Sequence, residues 1–538
     1  MSKRRNRSRV LAAGAVTTAL AVAGAGYGIA NAAAGPPPLV LVAATQNVVA
    51  ERYVDEDHSY FDMDLGVNLI AGRHPFEIRA KRTSYAKPIV AEQIVVGAGG
   101  KKTSKALPAG LLTSFSGFQD FTTVTIKNAA GATVKSYQTD FCPNTYGSAR
   151  TRRDAPAENP YPQHCAGDNP FILGSVWGIQ AGWNATTESM PRSDSDSGKP
   201  EFDLPAGSYQ ATVQLNRKYR EYLGIPAANA KADLKLTVID VGSGSDPAGL
   251  ALAKAKTRAA AVGEQVNPET AALGEHGEHA GEGQASLQVS AYKPEARPPA
   301  KAPRALAAAP KSGPRPDLRS LPAWGISLQQ DEDGKAYVNF GATVWNAGNS
   351  PLLVDGFRRT GTELMDAYQY FFDAKGKEVG SVAAGTMEWD PRDGHRHWHF
   401  TDFAQYNLLN ADRSRAVRSG KEAFCLANTD AVDYTIPQAK WRPYNTDLSS
   451  SCGQNTAVAV REVLDVGNGD TYSQDRPGQS FEITDLPNGT YFIETLANPE
   501  NKLAESNRKN NSALRKIVLG GTPEKRTLKV PAVHGIQG

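Results

Sequence analysis

Histidine and cysteine are scarce in this chain, nine and four in 538 residues. Charge of one sign is not in excess, and helical periodicity is hard to find. Each shortage excludes something. A net charge of +3 with 21% charged residues, and no basic stripe interleaved with aromatics, excludes the electrostatic footprint of a nucleic-acid binder. None of the cysteines shows C-x-x-C spacing, which excludes the usual thiolate metal motif. They fall instead as two close pairs far apart in sequence. Pairing Cys142 with Cys165 and Cys425 with Cys452 would place one staple in each half. Each staple closes a loop worth about 3 kcal/mol of chain entropy.

Beyond the N-terminus no segment is apolar enough to span a membrane. The N-terminus itself carries a basic stretch, Lys3-Arg4-Arg5-Asn6-Arg7-Ser8-Arg9, then an Ala- and Gly-rich apolar run from Val10 to Ile29. That run is long enough to cross a bilayer. Its low Leu, Ile and Phe content and the small-x-small end at Ala30-Asn31-Ala32 favour a cleaved signal peptide over residues 1–34. Arg4-Arg5 raises twin-arginine export, although the hydrophobic residues expected after such a pair are missing. The expectation is a secreted protein with no stable membrane insertion after cleavage, in a compartment where disulfides persist.

The chain is too long for one core. Two β-sandwich-like domains are expected, 36–242 and 314–520, joined by a disordered linker over 243–313 and followed by a tail over 521–538. Leu39-Val40-Leu41-Val42, Thr123-Val124-Thr125-Ile126 and Leu234-Lys235-Leu236-Thr237-Val238-Ile239 read as strands of the first. Tyr337 to Trp345 alternates well and opens the second, with Val458-Ala459-Val460 and Val463-Leu464-Asp465-Val466 as further strands. The linker is rich in Ala, Pro, Lys and Gly, and its His276 and His279 sit in too soft a context to hold a metal. One echo links the halves: Asp203-Leu204-Pro205-Ala206-Gly207-Ser208-Tyr209 parallels Asp485-Leu486-Pro487-Asn488-Gly489-Thr490-Tyr491. In each, Pro-x-Gly makes a turn into a strand. Glu51, Asp55, Glu56, Asp57, Asp62 and Asp64 form an acidic cluster that reads as a solvated face. The first domain shows no chemical motif, and His58, His74 and His164 read as surface or turn residues.

Three of the nine histidines stand at every second position, His395, His397 and His399. On an extended strand such residues share one face. A flat strand would spread the outer two Cα atoms about 13 Å apart, too far for one ion, so a bend is required. Asp393-Gly394 is placed to supply it. Imidazole suits zinc, copper, iron and nickel, and a three-histidine site with an open position also describes a hydrolytic zinc centre. The plainest alternative is an aromatic edge strand with no ion.

Further segments follow in order: Asp402-Phe403-Ala404-Gln405-Tyr406-Asn407-Leu408-Leu409, Gly420-Lys421-Glu422-Ala423-Phe424-Cys425-Leu426, and Gly469-Asp470-Thr471-Tyr472. With Glu388-Trp389 and the histidine triplet, their order and spacing resemble the catalytic domain of lysyl oxidases. The resemblance covers roughly residues 314–520. It implies a copper amine oxidase with a lysine tyrosylquinone cofactor. His395, His397 and His399 match the copper ligands, Lys421 the cofactor lysine and Tyr472 the cofactor tyrosine. Asp402 matches a family aspartate and is one candidate base, with Asp470 a second; either can instead orient a ligand histidine, the role favoured for Asp470. The implied substrates are primary amines, either small alkylamines or lysine within a protein, and molecular oxygen. Asp317-Leu318 and Glu505, Asn507, Asn510 and Asn511 resemble segments that hold a structural calcium in some members, though an ordinary Asn-rich turn fits them too. This sequence departs from the animal enzymes in having few cysteines and a longer stretch between Lys421 and Tyr472. The rival reading is a secreted β-sandwich metal-binding or cell-surface binding protein with no oxidase activity.

Overall fold

The computed structural model describes residues 39–54, 59–167, 169–191, 202–242, 301–331, 334–359, 361–391, 396–420, 423–443, 452–475 and 479–536. The signal-peptide stretch, Asp55, Glu56, Asp57, His58, the linker over 243–300, His395 and Lys421 lie outside them.

The chain is all-β, as its alternating segments require. Among the described residues the one α-helix is a two-turn segment, Arg217–Leu223, closed by Gly224 in the left-handed conformation. No described helix is long and apolar enough to cross a membrane. In the N-terminal half the strands form three sheets of three, four and six strands. They enclose a core around Trp177, Phe118, Phe121 and Tyr219. In the C-terminal half two six-stranded sheets and one five-stranded sheet enclose a second core around Trp398, Phe400, Phe403, Tyr406 and Phe424. The expected strands appear as Leu39–Ala43, Phe118–Asn128, Lys231–Gly242 and Ala336–Asn346. The two segments read separately near 458–466 are one strand, Ala459–Leu464.

The echo between the halves extends to side chains. The Tyr209 hydroxyl donates to the Pro205 carbonyl and the Tyr491 hydroxyl to the Pro487 carbonyl, each at 2.8 Å. Both turns are thus locked by the tyrosine four residues on, a corner familiar from β-sandwiches. The acidic cluster is not uniformly solvated. Asp62 and Asp64 are exposed, but Glu51 is buried and accepts the Tyr53 hydroxyl.

Residues Pro37–Gly538 make one compact unit. Both disulfides expected from spacing are present, Cys142–Cys165 and Cys425–Cys452. The halves meet along a seam of main-chain bonds. The N–H groups of Leu173 and Gly174 donate to the Val432 carbonyl at 2.8 and 3.1 Å, and the Tyr434 N–H returns to the Gly174 carbonyl at 3.0 Å. Phe171, Leu173, Leu321, Trp345 and Val432 form a small core beside it. Residues 301–313 lie against the C-terminal half, where the Leu306 N–H donates to the Ser381 carbonyl at 2.8 Å.

Candidate active site

The histidine strand is His397–Thr401. Trp398 and Phe400 alternate into the core, which turns His397 and His399 to the opposite face. Just before it, Arg396 adopts φ 33°, while Asp393 and Gly394, where the bend was expected, lie outside the described residues. The two imidazoles converge: His399 Nε2 lies 2.7 Å from His397 Nε2. Two nitrogen lone-pair positions sit that close only across a shared proton or a shared cation. His399 is buried, and its other nitrogen, Nδ1, faces Asp390 Oδ2 at 3.5 Å. Asp390 ends the neighbouring strand, Glu378–Asp390, in register with His397. A carboxylate behind a ligand histidine fixes its tautomer and turns Nε2 toward the metal. The donor chemistry therefore fits copper, for which imidazole is a preferred ligand.

Tyr472 lies on the strand Asn468–Gln474, opposite Ala342. It is partly buried, its ring meets the edge of Phe424 at 5.2 Å, and its hydroxyl donates to the Cys425 carbonyl at 2.6 Å. Burial first, then the charges of Asp470 and Glu462, pushes the phenol well above its ordinary value. Cys425 stands four residues beyond Lys421. Between them Ala423–Phe424 forms a short strand that pairs with Phe400 and Thr401 of the histidine strand.

This segment is pinned at two further points. The Leu426 N–H donates to the buried Glu462 carboxylate at 2.8 Å. Cys425 is bonded to Cys452, whose carbonyl accepts the Trp398 N–H at 3.2 Å. That N–H belongs to the residue between His397 and His399. One disulfide thus ties the tyrosine's partner to the backbone of the histidine strand.

Asp470 is buried on the tyrosine strand. Asp402 occupies the turn after the histidine strand at φ 61°, ion-paired to Lys502 at 2.6 Å. Sequence reasoning missed Asp390 and Glu462. A carboxylate next to Trp389, and one inside the apolar strand Ala459–Leu464, were the available signals. Neither has meaning before the cross-strand partner is known.

The segments matched to a calcium site also converge. The Leu318 N–H donates to Glu505 Oε2 at 2.9 Å, and Asn510 Nδ2 lies 3.1 Å from Asp317 Oδ2. Asn498 and Asn511 donate to Glu505 Oε1 at 2.7 and 2.8 Å. The Oδ1 atoms of Asn510 and Asn511 are buried with no partner among the described residues. Burial raises the Glu505 carboxyl above its usual range. Asn507 instead caps its own turn, accepting the Lys509 N–H at 3.0 Å.

A lysyl oxidase family model matches residues 372–527. Lysyl oxidase homolog 4 of Mus musculus is 33% identical over 129 residues, 24% of this chain and 15% of the relative. Lysyl oxidase homolog 2 of Gallus gallus is 29% identical over 128 residues, again 24% and 15%. Protein-lysine 6-oxidase of Gallus gallus is 34% identical over 125 residues, 23% of this chain and 26% of the relative. The chain thus spans between 15% and 26% of the length of these curated relatives. The matched region contains the histidine strand, the tyrosine strand and the segments flanking Lys421, so the C-terminal part of this chain, residues 372–527, carries a lysyl oxidase family domain.

Proposed function

We propose that the C-terminal half is a secreted, copper-dependent oxidase of primary amines, small alkylamines or peptidyl lysine, yielding aldehyde, ammonia and hydrogen peroxide. The observation that carries this reading is the bond from the Tyr472 hydroxyl to the Cys425 carbonyl, beside a strand on which two imidazoles converge. His397 and His399, with His395, would hold the copper. Lys421 and Tyr472 would form the lysine tyrosylquinone. When present, the metal and the quinone supply oxygen chemistry and an electron sink for amine oxidation.

The chain's own residues do the rest. The Cys425 carbonyl and the Phe424 ring fix the Tyr472 ring, so its phenol has one orientation. The Glu462 tie at Leu426 and the short strand at Ala423–Phe424 hold the segment from Ala423 to Leu426. Asp390 holds the His399 proton on Nδ1. Asp402 is the candidate base for the substrate α-proton, which requires it to leave the half-exposed pair with Lys502.

The test is a quinone redox-cycling stain of the copper-loaded protein on a denaturing gel, paired with a peroxide assay across amines. The parent stains and makes peroxide. Lys421→Arg and Tyr472→Phe do neither, while Asp402→Asn keeps the stain and loses peroxide. An unstained parent with copper bound rejects the oxidase and leaves the binding protein.

Calcium is the second metal of this reading. Asp317, Glu505, Asn510 and Asn511 offer hard oxygen donors, and the two buried amide oxygens are open to a cation. Calcium at 100 times its dissociation constant stabilises by about 2.7 kcal/mol. The melting temperature should rise with calcium in the parent and stay fixed in Asp317→Asn/Glu505→Gln. No rise in the parent removes the ion.

A further inference from the structure

A second concave site lies on the seam, outside the residues used so far. It is a cleft of about 610 Å³ between residues 145–183 of the N-terminal half and 439–442 of the C-terminal half. Three aromatic rings line it: Tyr146, Trp183 and Trp441. Both indole N–H groups are already committed, Trp183 to the Pro156 carbonyl at 2.9 Å and Trp441 to the Tyr434 carbonyl at 3.0 Å. Those bonds fix the rings. Trp441 is further set by a parallel stack on Tyr161, centroids 6.0 Å apart, and by the Arg79 guanidinium 5.7 Å from its ring centroid, so the stacking surface left for a ligand is that of Trp183 and Tyr146. Tyr146 is 61% exposed, with its ring stacked on His164, centroids 6.0 Å apart.

Polar groups of both signs interleave with the rings. Glu158 and Arg442 both line the cleft. The Arg442 Nε donates to the Tyr161 carbonyl at 3.0 Å, which anchors the guanidinium and leaves its terminal N–H groups for a ligand. Asn159 is buried and braces its loop through the Tyr161 N–H and the Ser148 hydroxyl. A smaller cleft of about 340 Å³ adjoins this one across Thr145 and Tyr146, walled by the Cys142–Cys165 disulfide and His164. The two clefts share Thr145 and Tyr146, and the disulfide stiffens the wall of the smaller one.

We infer that this groove binds a neutral polysaccharide chain. Aromatic faces stack on the C–H faces of pyranose rings, and mixed donors and acceptors match their hydroxyls. The alternatives fit less well. A polybasic peptide needs several carboxylates, and the lining offers Glu158 alone. A sulfated glycan needs a cationic track, and the lining offers only Lys440 and Arg442, offset by Glu158. A proline-rich peptide matches the rings but not the density of polar groups.

The inference does not rest on the oxidase reading, because no lining residue belongs to the histidine, lysine or tyrosine segments. Full-length protein is tested for retention on chitin and cellulose, and by calorimetry with chitohexaose and cellohexaose. Binding is expected to at least one of the two polymers and its oligomer. Tyr146→Ala and Glu158→Gln, both at exposed positions, should bind roughly ten-fold more weakly with unchanged melting temperature. Retention on neither polymer overturns the inference. So does binding that both variants preserve, binding confined to heparin, or binding confined to a proline-rich peptide.

Discussion

At the scale of single residues, Tyr472 shows how the fold prepares a side chain for chemistry. Its phenol is held neutral by burial and by the carboxylates of Asp470 and Glu462. A phenol whose folded pKa is raised contributes stability that is present below the unfolded value of about 10 and lost as pH climbs toward the folded one. Tyr472→Phe removes the hydroxyl bond to Cys425 and should cost about 1 kcal/mol at neutral pH in the metal-free protein. Above pH about 10 the parent alone releases a proton on unfolding, so the gap should narrow. Denaturant melts of both proteins at neutral and alkaline pH check this, and a gap that widens contradicts it. Tyr472 itself was legible in sequence only through the order of motifs around it. Nothing in Asp470-Thr471-Tyr472 alone distinguishes a reactive tyrosine from one that begins a strand. Asp390 and Glu462 were not legible, because each takes its role from a partner on another strand, His399 in one case and the Leu426 N–H in the other.

At the scale of elements, the site is assembled by one covalent tie. The alternation of His397 and His399 against Trp398 and Phe400 is a period-two pattern, and such a pattern reads directly from sequence. The pairing of Cys425 with Cys452 was legible from spacing. What the pairing accomplishes was not, since it depends on the Cys452 carbonyl meeting the Trp398 N–H. The two disulfides close loops of similar length, 23 and 27 residues, so their entropic worth is nearly equal, about 3 kcal/mol each. Their consequences should differ. Cys142→Ser/Cys165→Ser should lose stability alone. Cys425→Ser/Cys452→Ser should lose similar stability and also bind copper(II) about ten-fold more weakly, because the backbone between His397 and His399, the proposed ligands, loses its anchor. Copper titration followed by the ligand-field spectrum distinguishes them. Equal copper affinity in the two double variants would show that the histidine strand holds itself.

At the scale of the whole molecule, the fold class follows from strand periodicity, but the seam does not. Two cores separated by a long Ala- and Pro-rich stretch look like two independent domains, and each half does have its own core. The seam forms in segments where periodicity is weakest, the Pro-, Asn- and Gly-rich run through Asn169 to Gly174 and the turn at Val432 to Tyr434. Its register depends on close backbone approach, which a sequence shows only as an unremarked glycine. A Cβ at Gly174 would collide with the Asp433 carboxylate and press on Thr435. Gly174→Val therefore strikes the junction and leaves both cores intact, at a cost of about 1–3 kcal/mol. If the seam couples the halves, calorimetry of the parent shows one transition, and the variant shows two, the halves now melting separately. The C-terminal half would then expose the flank of Trp345 and Val432, which an apolar dye reports below the main transition. A parent that already melts in two steps, unmoved by Gly174→Val, would mean the halves are stable neighbours rather than one cooperative body. Residues 39–242 would then bear on the C-terminal half only through whatever they bind.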